Sequence, residues 1–166
     1  IKYSIDSIKY NYKIKKKNLI TFMSRKLPQH STQVVFFLKK HLPKNWKIKD
    51  LNNIDEKEVY KNLCLSKIFL AFSNLEGLPL PPVEAAIAGN YVIGYTGEGG
   101  KDYWKKPIFT EIYSGDIRNF VRQVIKKITD VNSNNKLKQK QYRSLANDFS
   151  KKNEIRHIKK FLNYIS

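Results

Sequence analysis

Two glutamates, Glu76 and Glu84, enclose a segment that reads Glu-Gly-Leu-Pro-Leu-Pro-Pro-Val-Glu. Carboxylates accept hydrogen bonds from vicinal hydroxyls, so such a pair suits a sugar or a ribose better than a base edge. Gly77 lets the backbone approach a ligand, and the N–H groups that follow lead into a helix N-terminus, where anions are favoured. Glu84 could instead be a first-turn residue held by the helix dipole. That reading leaves Glu76, Gly77 and the prolines without a reason. A second cluster, Ser24-Arg25-Lys26, follows a short apolar run and places two cations where phosphate oxygens could be met. Its plainer reading is surface charge. A third, Thr96-Gly97-Glu98-Gly99-Gly100, has three glycines in four residues, which suggests close backbone approach or an anion nest.

The elements that must position these clusters can be read from periodicity. Asn18–Phe22 is a short β-favouring run, followed by the polar turn Ser24–Pro28. Ser31 or Thr32 is expected to cap a helix whose Val34, Val35, Phe37 and Leu38 share one face. Trp46-Lys47-Ile48 is a strand candidate. Asp55 with Glu58 forms a helix-start box for a helix to about Leu65. Ser66–Phe72 is nearly all apolar, as expected of a strand buried on both faces. Pro81-Pro82 opens a helix that stops at Gly89, Tyr91–Tyr95 is the next strand, and Ile108–Ile112 is an edge strand. Asp116 caps an amphipathic helix over Ile117–Ile128, and two polar helices follow Asn132. Strands alternating with helices at short spacing predict an α/β fold, a Rossmann-like three-layer α/β/α arrangement with a parallel sheet. In such sheets ligands bind beyond the carboxyl ends of the strands, and all three clusters fall there.

Composition narrows the function further. The chain of 166 residues is 41% hydrophobic and 13% aromatic, enough to form a core and too apolar for disorder. Its longest apolar runs are too short to span a bilayer. The single cysteine, Cys64, rules out an internal disulfide framework and points to a reducing, cytoplasmic setting; it is read as a buried structural residue. With one cysteine and three histidines, a structural zinc site is not expected. The chain begins at Ile1 without a basic-then-apolar leader, and the expectation is a piece of something longer. Net charge is +18, with +11 in residues 1–53, −3 in 54–104 and +10 in 117–166. The basic residues are 27 Lys and only 5 Arg, and nucleic-acid interfaces favour arginine. The basic ends therefore read as solvated surface or as contact with anionic membrane before nucleic acid.

No GxGxxG fingerprint, P-loop, nucleophile elbow or HExxH motif is present, and the turn MSRKLPQHS after the first strand has no glycine, which disfavours a dinucleotide-binding domain. The segment EGLPLPPVEAAIAGNYVIGY instead closely resembles the carboxyl-terminal half of retaining GT-B glycosyltransferases of family four, the glycosyl transferases group 1 set, with consensus EGFGLPPLEAMACGCPVVG. Leu78 followed directly by Pro79 departs from that pattern, as does Asn90 after the glycine. FMSRKLPQHS is similar to the strand and basic turn that open this half-domain in bacterial members, and TGEGGKDYW to their glycine-rich loop. The similarity covers about residues 18–128.

The resemblance implies a division into a lead-in or interdomain linker (1–17), a donor-binding domain (18–130) and C-terminal helices packed on it (131–166). It implies that Glu84 binds the ribose of a UDP- or GDP-linked sugar and that Glu76 faces the sugar hydroxyls. The backbone around Gly77, Leu78, Pro79 and Leu80 would meet sugar and diphosphate, although Pro79 has no N–H. Arg25, with Lys26 beside it, would neutralise the leaving diphosphate; His30 stands where many relatives place the second cation. Ser24, Thr96, Gly97, Gly99 and Gly100 complete the implied donor site. The diphosphate is met by cations and a helix end, so no metal or other cofactor is expected. The implied acceptor is a glycan or a lipid-linked intermediate in surface polysaccharide or glycoconjugate synthesis, reached through an amino-terminal domain that this chain lacks, so the chain alone is expected to be inactive. The alternative is a non-catalytic module that binds nucleic acid or anionic membrane through its basic ends.

Overall fold

The computed structural model describes residues 3–10, 14–131 and 136–165. Five strands, β1 (Leu19–Phe22), β2 (Lys47–Asp50), β3 (Ile68–Glu76), β4 (Tyr91–Glu98) and β5 (Phe109–Glu111), form one all-parallel sheet in the order β2-β1-β3-β4-β5. The helices are α1 (Pro28–His41), α2 (Glu56–Leu65), α3 (Leu80–Ile87), α4 (Ile117–Asp130), α5 (Lys136–Asp148) and α6 (Lys151–Ile165). The chain is a Rossmann-like three-layer α/β/α fold.

The layers follow from the period-2 alternation of side chains along a strand. In β3, Ile68, Leu70 and Phe72 face a core shared with Val34 and Leu38 of α1 and Phe120 and Val124 of α4. Phe69 and Ala71 face the opposite core, with Leu63 of α2, Val83 of α3 and Leu145 of α5. Each fully buried aliphatic or aromatic side chain contributes about 1.5–3 kcal/mol, so a strand buried on both faces anchors both layers. Asp55 accepts a hydrogen bond from the Glu58 N–H at 2.8 Å, and Asp116 one from the Asn119 N–H at 3.0 Å. Both expected caps are thus in place, each stabilising its helix by about 1 kcal/mol.

Several expectations need correction. Helix α1 starts at Pro28, three residues before Ser31, because proline is pre-set for the first helical turn. Neither Ser31 nor Thr32 caps it; the Ser31 hydroxyl donates back to the Pro28 carbonyl. Phe37 is 43% exposed and stacks edge-on with Phe36 near the Lys40 ammonium, while Val34 and Leu38 alone are fully buried. Helix α3 begins at Leu80, with the proline pair inside its first turn. Strand β4 runs on to Glu98, so Thr96 and Gly97 are strand residues rather than loop. Of the lead-in, residues 1–2 and 11–13 lie outside the described residues, as does the start of the expected C-terminal helices at Asn132.

Asn90, fully buried, ties these elements together. Its amide nitrogen donates to the Leu63 carbonyl of α2 and the Ala85 carbonyl of α3, both at 2.8 Å. Its amide oxygen accepts from the Ser66 hydroxyl at 2.6 Å, and Thr21 of β1 donates to that same hydroxyl. Buried polar groups left without partners are expensive. Asn90→Ala should therefore lower stability by about 3 kcal/mol or more, measured by urea unfolding, whereas Cys64→Ala nearby should cost less because it strands no polar group.

Candidate functional site

The strand order places β2 on one side of β1 and β3 on the other. Successive connections thus leave β1 and β3 in opposite directions, which opens a crevice at their carboxyl ends, the usual ligand position in such sheets. The turn Ser24–Lys26 follows β1 and the Glu76–Leu80 segment follows β3, so the fold brings these two sequence clusters together. Arg25, Lys26, Glu76, Pro81 and Pro82 line the crevice with Met23 and residues 69–73 of β3. Its enclosed volume is about 30 Å³, room for one water, so a larger ligand would lie across its mouth. Lys26 Nζ stands 3.5 Å from Glu76 Oε1. The Lys26 side chain is half exposed, so this pair adds at most about 1 kcal/mol and its members can exchange partners. Arg25 is exposed at the rim, and the Ser24 N–H donates to Asp50 at the end of β2.

The Glu76–Leu80 segment is braced from behind. Tyr103, buried, donates its hydroxyl to the Pro79 carbonyl at 2.7 Å. Burial, with Glu76 nearby, pushes that hydroxyl far above the ordinary tyrosine range, so it stays protonated and keeps donating. Gly99 passes so close to this segment that a Cβ there would stand 1.8 Å from the Gly77 carbonyl oxygen. Gly97 has φ 64°, and a Cβ there would stand 2.6 Å from the Asn74 carbonyl oxygen. Of the two readings of the glycine cluster, close backbone approach accounts for both residues. Gly100 packs on Pro79 and Tyr103. Thr96, Gly97 and Glu98 line a separate hollow of about 300 Å³ on the far side of the β3 end, with Tyr95 and Lys101.

Glu84 does not share the Glu76 crevice. Its carboxylate accepts a hydrogen bond from Tyr10, which is buried and stacks edge-on against Tyr60 of α2 at 5.1 Å. The segment around Tyr10 is held by a Lys9–Glu56 ion pair at 3.7 Å. The expectation that both glutamates open on one crevice is thus corrected: α3 turns Glu84 toward α2. Burial is the largest influence on Glu84 and raises its carboxyl above 4.5, against the lowering effect of the Tyr10 hydrogen bond. His30, the other cation candidate, packs edge-on against the Tyr95 ring at 5.6 Å and does not line the crevice. Among the described residues, no group of three His, Cys, Asp or Glu side chains could hold a metal ion.

No protein-family model matches the chain, and no curated protein matches it. The site therefore rests on its own geometry. Tyr103 and Tyr10 escaped the sequence reading. Tyr103 sits beside a glycine cluster read for its glycines alone, and Tyr10 lies in a stretch without periodicity.

Two outcomes test this geometry. The folded chain holds the Glu84 proton more tightly than the unfolded chain, so stability falls as pH rises from 4.5 through the raised value and returns on acidification. Glu84→Gln should be more stable than the parent at about pH 8 and close to it at about pH 4, by urea unfolding at both; an equal difference at both pH values would rule this out. Gly99→Ala should cost about 2 kcal/mol or more, because β4 and the Gly77 backbone must separate.

Proposed function

We propose that the chain is the donor-binding half of a retaining glycosyltransferase of the GT-B type, binding a nucleoside diphosphate sugar at the carboxyl ends of β1 and β3. The observation that carries this reading is the meeting of Arg25 and Lys26 with Glu76 at the point where the strand order reverses. Two cations from one strand end and a carboxylate from the next offer complementary groups for a diphosphate and for sugar hydroxyls.

Each group has a stated task. As the bond from anomeric carbon to diphosphate breaks, negative charge grows on the departing phosphate oxygens and positive charge on the sugar ring. Arg25 and Lys26 act on the first, with the N-terminal turn of α3 behind them. On binding, Lys26 exchanges Glu76 for phosphate, which frees the Glu76 carboxylate to accept from sugar hydroxyls. Glu84 already accepts a hydroxyl hydrogen bond from Tyr10, and a ribose hydroxyl is a donor of the same kind. Donor binding then exchanges one hydroxyl for another, and Tyr10 leaves. The acceptor, a glycan or a lipid-linked intermediate, reaches the sugar from a facing domain in the complete enzyme.

Calorimetric titration with UDP, GDP, ADP and their sugar conjugates tests the reading. One nucleotide should bind with affinity between about micromolar and millimolar (roughly −8 to −4 kcal/mol). Arg25→Ala should weaken it by about 1.5–3 kcal/mol, and Glu84→Ala should abolish the preference for ribose over deoxyribose. Binding indifferent to both substitutions, or no binding of any nucleotide, would sink it.

A further inference from the structure

The hollow at the carboxyl ends of β3, β4 and β5 encloses about 300 Å³, against about 30 Å³ for the crevice, and so reaches the size range of small-molecule sites. Ser73 lines both spaces, and Glu98 stands in register with Glu76 across β3 and β4. The two spaces therefore share a wall. The groups particular to the hollow have no task in donor binding as proposed above.

Its lining suits hydroxyls and not anions. Glu98 and Glu111 bring two carboxylates, and the one cation, Lys101, is already paired with Glu98 at 2.7 Å. Glu111 meets no cation at ion-pair distance among the described residues. A phosphate there would face a net negative charge, and among the described residues no third metal-ligating side chain joins the two carboxylates. Tyr95 lines the same space and is 2% exposed, yet its hydroxyl has no hydrogen-bond partner among the described residues. The Gly115 backbone bears on that oxygen without the geometry of a hydrogen bond. A buried hydroxyl left unpaired is costly, and a ligand hydroxyl would complete it. Tyr113, also in the lining, is 81% exposed. An exposed aromatic ring beside carboxylates matches the two sides of a pyranose, an apolar C–H face and an edge of hydroxyl donors.

We infer that the hollow binds one sugar ring of a glycan acceptor, with Tyr113 on the apolar face of the pyranose and Glu111, Glu98 and the Tyr95 hydroxyl at its hydroxyls. Sugar binding stands on the hollow alone, whereas the acceptor role rests on the glycosyltransferase reading. In that reading the donor sugar belongs to Glu76, and a ring on the other side of Ser73 is where an acceptor chain would run beside it. The acceptor is then recognised by this chain through its sugars.

Amide-proton NMR of the whole chain tests the binding without any nucleotide. The probes are the methyl glycosides of glucose, galactose, mannose and N-acetylglucosamine. At least one should shift the signals of Thr96, Gly97, Glu98 and Tyr113 with about millimolar affinity, leaving those of Arg25 and Lys26 unmoved. Glu111→Ala should weaken binding about tenfold, and Tyr113→Ala and Tyr95→Phe about fivefold each. Glu111 and Tyr113 are exposed, so an unchanged thermal midpoint checks the fold of those variants. Tyr95→Phe should not lower the midpoint either, since the hydroxyl it removes has no partner to lose. Three results would overturn the inference. They are no shift with any of the four glycosides, shifts at Arg25 and Lys26 in place of the hollow, and full binding by all three variants. Nucleotide binding without glycoside binding would remove this inference and leave the donor reading standing. Glycoside binding without nucleotide binding would keep the sugar site and withdraw its acceptor role.

Discussion

The hydrogen bonds of Asn90 are the constraint on which the site depends, although they lie at the opposite edge of the sheet. Helix C-termini leave carbonyls without intrahelical partners, and here two such ends, of α2 and α3, are buried side by side. The Asn90 amide meets one carbonyl from each, and Lys16 adds donors to Leu63 and Ala88. Fixing the far end of a two-turn helix fixes its near end as well. The first turn of α3, and with it the Glu76–Leu80 segment, therefore owes its aim to a side chain beyond the other end of the helix. The three side-chain partners of Asn90 give its place directly after Gly89 a structural reason.

At the near end, the same segment is held by contacts of a different kind. Tyr103 fixes the Pro79 carbonyl, and the backbone of Gly99 lies against that of Gly77. These restraints act on the main chain and leave the outward groups, Arg25, Lys26 and the Glu76 carboxylate, with only a half-exposed ion pair to exchange. A braced backbone beneath exposed and half-exposed charged side chains is what the proposed diphosphate site would need. The Tyr103 brace reaches β5 and the residue that follows α5 through its ring contacts with Phe109 and Phe149, so the C-terminal part of the chain supports a site built from its middle.

Much of the fold was legible because its signals are local. The apolar run of β3, the Asp55 and Asp116 caps and the stop after α3 each depend on a few adjacent residues. The start of α1 was misplaced because two good capping residues, Ser31 and Thr32, competed with a proline whose fixed φ suits the first turn. The meeting of Arg25 and Lys26 with Glu76 was legible once the sheet was taken as parallel, since strand polarity alone puts both turns on one edge. The parting of Glu76 from Glu84 was not. Eight positions along the chain cross a strand end, a loop and a helical turn, and their sum decides which side of α3 a residue faces. Tyr10 could not be placed, because its partners come from α2 and α3, which are far away in sequence. Phe161 and Tyr164 are exposed, whereas Tyr142 and Phe149 are buried; the difference lies in α5 packing against α3 while α6 packs into neither core.

The cover over Glu84 has a consequence for the order in which the molecule comes apart. The segment that carries Tyr10 is fastened to the C-terminal helices by the Ile5 N–H to the Phe149 carbonyl and by Ser4 to Glu154, a contact 150 residues apart in sequence. Closing so long a loop gains little until everything between its ends is already folded. Loop closure over that length predicts that these contacts form late and open before the sheet does, even though Ile5 and Tyr10 are buried. Glu84 is thus covered by a segment whose local opening would free it from its hydroxyl partner while α3 and the crevice stay folded.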